Sequence, residues 1–295
     1  MVDLDSINAG FSRKAQVYDA YCESHPVIRW ARGLARAQVL QHAPAGGAIL
    51  ELNAGTGADA AFFVERGYRV HATDIADGMV AEIAAKIEAC GQRERFTVQQ
   101  CSFADLDSVS GGPYDVVFSN FGGLNCIPDL RVVTQALPKV LKPGGFVVWV
   151  VMPPVCPWEL AQALRGHWRT ATRRLHRGGV LANVEGAKFF AYYFTPDVVA
   201  RAFGSKFRRV ALQSFSLFCP PSYLDNFPKR WPALTRWLMK MDERLCSHWP
   251  FNRWGDYFIL TMQFVSQSEC NCPGLRLRNR PIHPQITQIP ADWFW

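Results

Sequence analysis

Ile49-Leu50-Glu51-Leu52-Asn53-Ala54-Gly55-Thr56-Gly57-Ala58-Asp59 is the stretch that decides the fold. An apolar run leads into a glycine-bearing turn, and the turn opens a stretch with helical character. Strand, tight turn and helix in that order bring backbone N–H groups and a helix N-terminus close to a bound ligand. A dinucleotide site of the nicotinamide kind needs G-x-G-x-x-G here. Ala60 and Ala61 follow Asp59 instead, so the third glycine is missing and that cofactor is disfavoured.

Outward from this turn, short apolar runs alternate with amphipathic stretches, as in a parallel sheet with crossover helices. The pattern predicts strands at 47–53, 69–74, 95–101, 114–120 and 144–152, with helices near 57–67, 77–90 and 129–141. Pro143-Gly144-Gly145 is expected to stop the last helix at Lys142. Beyond Met152, the reading is a helix over 158–177, a strand over 188–194, and a helix from Thr195-Pro196-Asp197 to about Phe203. Strands at 206–217 and 256–266 flank a proline- and tryptophan-rich insert from Cys219 to Trp254. With right-handed crossovers, the expected fold is α/β: a Rossmann-like doubly wound, mostly parallel seven-stranded sheet, helices on both faces, and a lid insert in the C-terminal half. Asp59 is expected to cap the first helix after the turn.

The 295 residues are 49% apolar and 19% charged, which suits a folded globular chain. Nine scattered cysteines and no visible leader predict free thiols in a reducing cytoplasm. Cys270 and Cys272 have no second pair or histidine cluster to complete a tetrahedral site, so no metal is expected. The longest apolar run, Phe146 to Cys156, falls short of the about twenty residues a bilayer span needs. A formal charge of +7 permits an acidic partner without demanding one.

The second strand ends at Asp74, where a carboxylate can accept two hydrogen bonds from a ribose diol. Several adenosine cofactors carry that diol, so Asp74 alone does not choose among them. The combination does. Glu51-x-Asn53-x-Gly55-x-Gly57, then Asp74-Ile75-Ala76-x-x-Met79, Tyr114-Asp115-Val116-Val117-Phe118-Ser119 and Leu141-Lys142-Pro143-Gly144-Gly145 resemble the class I S-adenosylmethionine (SAM) methyltransferases, within the broad group of ubiquinone/menaquinone-type enzymes. Phe11-x-x-x-Ala15-x-x-Tyr18-Asp19 is similar to that group's lead-in helix. The resemblance covers roughly residues 8–155. It implies that the turn from Glu51 through Asn53 and Gly55 to Gly57 holds the methionine part of SAM. Asp74 would bind the ribose, and Ile75 would pack on the adenine. Ser102 and Phe103 match the segment that reads the adenine edge, Asn120 and Phe121 the fourth strand tip beside the sulfonium, and Tyr18 a lid position. Two positions depart from the pattern: Asn53 stands where glycine is usual and tolerates left-handed backbone angles, and Ser102 stands where an aspartate is usual. The implied organisation is an N-terminal helical lid over 1–45 and a methyltransferase domain over 46–266. In the latter, 46–152 would bind SAM and 153–254 would supply substrate-side elements and the aromatic insert. An irregular tail covers 267–295.

The implied activity is methyl transfer to a small-molecule acceptor, apolar or anionic. An RNA or protein methyltransferase, or a non-catalytic SAM-binding protein, are the alternatives; no recognisable RNA-binding module is present. No catalytic residue is assigned. His167, His176 and His248 are candidates for a general base. Cys126 and Cys156 lie near the strand ends where cysteine-dependent RNA enzymes keep a nucleophile, but Asn120-Phe121-Gly122-Gly123 lacks their Pro-Cys loop. Arg165, Arg169, Arg173 and Arg177 recur at four-residue intervals, and such a stripe would suit an anionic partner, acids elsewhere in the fold, or solvent. Phe227 to Met241 interleaves aromatics with cations, fit to pack as a lid, to roof an apolar pocket or to rest on a membrane interface.

Overall fold

The computed structural model describes residues 4–265. Helices α1 (Leu4–Ser24) and α2 (Pro26–His42) come first, and Pro26 sets the break between them by occupying the first turn of α2, where its missing N–H costs nothing. Strands β1 (Ala48–Leu52), β2 (Arg69–Asp74), β3 (Phe96–Gln100), β4 (Tyr114–Ser119) and β5 (Leu141–Val151) run parallel, with α3 (Ala58–Glu65) and α4 (Asp77–Cys90) in the first two crossovers. β8 (Phe207–Phe215) and β9 (Tyr257–Phe264) complete a seven-stranded sheet ordered β3-β2-β1-β4-β5-β9-β8, with β9 antiparallel to both of its neighbours. The expected architecture is therefore the observed one.

Alternate strand residues feed two separate cores. Ile49, Val116, Phe118, Val148 and Ile259 point to one face, where α2, α3 and α4 contribute Val39, Phe63 and Ile83. Leu50, Leu52, Val117 and Trp149 point to the other, covered by Leu137, Val199 and Phe203. With both faces buried, the strands need no polar alternation, which is why they read as continuous apolar runs.

Three local expectations fail. The helix over 129–141 is two one-turn helices, α5 (Arg131–Thr134) and α6 (Leu137–Val140), because Pro138 has no N–H to continue the ladder. β5 starts at Leu141, paired with Tyr114, so Pro143-Gly144-Gly145 lies in a bulge inside the strand and does not end a helix at Lys142. The helix over 158–177 is broken into α7 (Pro157–Leu160), α8 (Trp168–Thr172) and short 3₁₀ turns, with Gly166 left-handed at φ 78° between them. The strand over 188–194 is the second arm of a hairpin, β6 (Val180–Val184) and β7 (Ala187–Ala191), outside the main sheet. α9 (Pro196–Ala202) starts at Thr195 as expected, the hydroxyl accepting from the Val198 amide. The tail over 267–295, with the Cys270 and Cys272 pair, lies outside the described residues.

The insert forms α10 (Asn226–Arg230) and α11 (Pro232–Leu245). α11 is pinned by Asp242, a fully buried carboxylate that accepts the amides of Leu217, Phe218 and Cys219 at 3.2, 2.9 and 3.0 Å. Asp242→Ala would leave three N–H groups without acceptors, and we expect urea unfolding to show a loss of about 3 kcal/mol. A loss below about 1 kcal/mol would mean that water replaces the carboxylate.

Candidate active site

The parallel strands β1 to β4 all end on one side of the sheet, so the residues that follow them converge there. Asp74 closes β2 and is buried; its carboxylate accepts the Gly55 amide at 2.8 Å and the Ala76 amide at 2.9 Å. These bonds fasten the first turn to the second. Burial pushes the Asp74 carboxyl up to about 6, against the pull of the amides. A Cβ built on Gly55 would meet nothing within 4 Å, so this part of the turn faces open space. Gly57 differs: a Cβ there would lie 2.8 Å from Ile83, so its role is close packing against α4.

Asn53 takes up the left-handed backbone at φ 46°. Its side chain turns toward β4, donating to the Asn120 carbonyl at 3.2 Å and accepting from the Ser119 hydroxyl at 2.7 Å. That placement fills the space beside Gly123, where no side chain would fit.

Beneath the turn lies a buried charge cluster. Asp59 does not cap α3, whose N-cap is Gly57. Instead its carboxylate accepts from Arg36 Nε at 2.6 Å and Asn120 Nδ2 at 2.9 Å and pairs with Arg32 at 3.2 Å. Burial would raise the Asp59 carboxyl, but Arg32, Arg36 and Asn120 outweigh it and hold it below the usual carboxylate range. Glu51 has no such set of partners. Burial first, then the neighbouring Asp59, drives its carboxyl well above the ordinary value, and Oε2 has no hydrogen-bond partner. An orphaned buried carboxylate oxygen beside an open glycine turn suits a ligand bearing a cationic N–H group.

Aromatic side chains lie beside the turn and the β4 tip. Phe121, at φ 49°, lies under the Arg32 guanidinium at 5.2 Å and packs edge-on against Tyr257 at 6.0 Å. Tyr18 is half-buried, and burial lifts its phenol above the ordinary value while Arg32 pulls it down. Ile75 and Phe103 are half-buried, and Ser102 Oγ accepts the Ala104 amide at 3.2 Å. Ser102 and Phe103 join the rest through the backbone, where Cys101 N donates to the Asp74 carbonyl at 3.0 Å.

Residues 49–145 match the methyltransferase-domain family model. The chain is 32% identical over 132 residues to a demethylmenaquinone methyltransferase of Beutenbergia cavernae, covering 42% of this chain and 48% of that protein. It is 34% identical over 104 residues to one of Clavibacter sepedonicus, covering 35% and 40%. The chain thus spans less than half the length of these curated relatives. Among solved structures, the CcbJ methyltransferase of Streptomyces caelestis superposes with a TM-score of 0.53 at 16% identity, over 80% of this chain and 90% of that one. The match to a methyltransferase domain lies over residues 49–145 and leaves the rest of the chain outside it.

Around that domain, several sequence candidates separate. His167, His176 and His248 are exposed. Burial pushes the Cys126 and Cys156 thiols up to about 12 and about 11, the opposite of the lowering that activates a cysteine nucleophile. The arginine stripe does not form, because no continuous helix carries it. Arg165, Arg169 and Arg177 are exposed, while Arg173 and the adjacent, buried Arg174 bind Glu159 at 2.6 and 2.7 Å. Arg174 also reaches Asp256 at 2.5 Å. Cys156, Glu159 and Asp256 are grouped as metal ligands would be, but the guanidinium of Arg174 already holds both carboxylates.

Sequence reasoning missed Arg32, Arg36 and Tyr257, all outside the motifs, and gave Asp19 of the lead-in helix no role. Asp19 is the seam between α1 and the sheet: it accepts from the Thr56 hydroxyl in the first turn and from Lys86 Nζ of α4 at 2.6 Å. Nearby, the Gly78 amide donates to Ser12 Oγ at 2.9 Å, and a Cβ on Gly78 would collide with the Ser12 backbone. Asp19→Ala is expected to speed amide exchange across residues 8–22 at least about tenfold while the sheet stays protected. Unchanged exchange would show that α1 is held by its apolar face alone.

Proposed function

We propose that the protein is a SAM-dependent methyltransferase acting on a small molecule with an apolar body. The observation that carries the reading is the pairing, across one open glycine turn, of Asp74 with the orphaned buried oxygen of Glu51. Asp74 offers a carboxylate for a ribose diol, and Glu51 Oε2 offers an acceptor for the amino group of the methionine part. Asn53, Gly55 and Gly57 shape the turn. Ile75, Ser102 and Phe103 border the adenine side, while Asn120 and Phe121 border the reacting end. When bound, the donor supplies a sulfonium methyl that is already activated, so transfer needs close approach and exclusion of water. Tyr18 and Asp19 on α1 would exclude water, with α1 serving as a lid. Tyr257, Phe121 and Met152 crowd around Gly122 and would wall an apolar acceptor. Demethylmenaquinone methyltransferases among the relatives support a small-molecule acceptor.

Two measurements test this. Asp74→Asn keeps one acceptor for the turn amides but loses the charge, and calorimetry should show S-adenosylhomocysteine binding weakened at least tenfold, as expected for about 1.5–3 kcal/mol from a charge-assisted bond. Equal affinity in the folded variant would remove Asp74 from the site. The pH dependence has a definite sign. Because the Asp74 carboxyl titrates at about 6 in the free protein, protons compete with the diol below that pH. Affinity should fall toward tenfold per pH unit as pH drops from 6 to 5, and the slope should flatten in Asp74→Asn. Absence of any S-adenosylhomocysteine binding at pH 7 would overturn the reading.

A further inference from the structure

α11 presents three distinct stripes. At about 100° per residue, Thr235, Met239, Asp242 and Cys246 fall together, and all four are buried. Arg236, Lys240 and Arg244 form a second stripe at four-residue spacing, all exposed. Lys240 and Arg244 meet no carboxylate among the described residues. Leu234, Trp237, Met241 and Leu245 form the third stripe. Leu234 and Trp237 are 41% and 56% exposed, and Leu245 is 36% exposed. Trp231 before the helix and Trp249 after it are 52% and 77% exposed. An exposed apolar stripe beside Lys240 and Arg244, which no carboxylate among the described residues neutralises, with tryptophans at both ends, is costly in water and favourable at the boundary between acyl chains and anionic headgroups.

We propose that α11 docks the protein on an anionic lipid surface, lying in the interface plane with Leu234 and Trp237 inserted and Lys240 and Arg244 at the phosphates. Charge decides among the possible occupants. A second copy would bring the same cationic stripe against itself. The segment 266–295 carries Arg276, Arg278 and Arg280 against Glu269 and Asp292, so it offers no net negative charge. A nucleic acid would answer the cations but leave the aliphatic Leu234, Met241 and Leu245 without partners, since they cannot stack on bases. Of these occupants, an anionic bilayer answers both stripes. Among the described residues no helix is long and apolar enough to cross a membrane, so the contact is peripheral.

The neighbouring segment has the same chemistry. Leu164 and Trp168 are 92% and 66% exposed beside Arg165 and Arg169, and Trp158 at its start packs on Phe227 of α10 at 6.3 Å. The helix is also tied to the methyltransferase side of the molecule: Asp242 holds the chain leaving β8, and Glu243 accepts from Trp30 Nε1 of α2 at 2.7 Å. The docking does not depend on the methyl-transfer reading, because nothing in the three stripes belongs to the crevice.

The test is flotation of the full chain with vesicles of equimolar phosphatidylglycerol and phosphatidylcholine, and with phosphatidylcholine alone. The expected result is flotation with the anionic vesicles only, with a blue shift of tryptophan emission. The double variant Lys240→Glu/Arg244→Glu should lower the bound fraction at least about tenfold, and Leu234→Ser/Trp237→Ser should abolish the shift. All four positions are solvent-facing, and circular dichroism melts confirm that each variant is folded. No flotation of the parent chain, or undiminished flotation of both folded variants, overturns the proposal. So does a dimer in sedimentation velocity that these substitutions dissolve, or retention of a single-stranded RNA oligomer without vesicle binding.

Discussion

The buried carboxylate of Asp59 is the constraint on which the site depends. It gathers Arg32 and Arg36 from α2, Asn120 from the end of β4, and the start of α3. Taking these charges out of water is expensive, and only the mutual pairing makes it tolerable. The result is that three elements far apart in sequence cannot slide relative to one another without exposing an unpaired charge to a dry interior. Glu51 lies next to this cluster and inherits its field: pushed up by burial and by Asp59, it is the one carboxylate there left with an open oxygen. The satisfied charges hold the frame, and Glu51 keeps one oxygen without a partner.

A second charge cluster does the same for the chain between β5 and β9. Glu159 from α7, Arg173 and Arg174 from the turn after α8, and Asp256 before β9 form a balanced set of two acids and two guanidiniums. Arg174 also donates to the Asp256 carbonyl at 3.0 Å and lies over the Tyr193 ring at 5.2 Å. It therefore fixes the strand that carries Tyr257 against a region with little regular structure. The broken helix over 157–175 keeps its shape through these pairs rather than through its own backbone ladder. Asn125 plays the uncharged counterpart, accepting the Met152 amide at 2.9 Å and donating to the Tyr192 carbonyl at 2.5 Å, which locks the chain beyond the hairpin to the end of β5.

α1 meets the rest through close backbone approach, Phe11 and a few polar side chains. Gly10 approaches the hairpin so closely that a Cβ would touch Val184 and Ala187 at 2.9 Å, and Phe11 packs on Phe189 at 5.9 Å. Asp19 then ties the helix to the glycine turn and to α4. A helix held by a few polar bonds over a shallow apolar stripe can open at modest cost, whereas the sheet beneath it cannot.

The sequence by itself determined the sheet and the turn. Ile49 to Gly57 and the strand tips at Asp74 and Asn120 were legible because strand periodicity, left-handed turn positions and helix starts are local properties, set by steric rules within a few residues. The left-handed Asn53 followed from the same kind of rule. Asp59 was misread, because a carboxylate near a helix start looks like a cap until a distant Arg32 and Arg36 arrive to claim it. The helix over 158–177 was misread for the matching reason: Gly166 and the Glu159 pairings break it, so its arginines form no stripe and meet solvent or, at Arg173, an acid elsewhere in the fold. Which charges are buried, which are paired and which are left open depends on groups brought together across long stretches of chain. Only the tertiary structure sets that desolvation, and it is what separates Glu51 from Asp59.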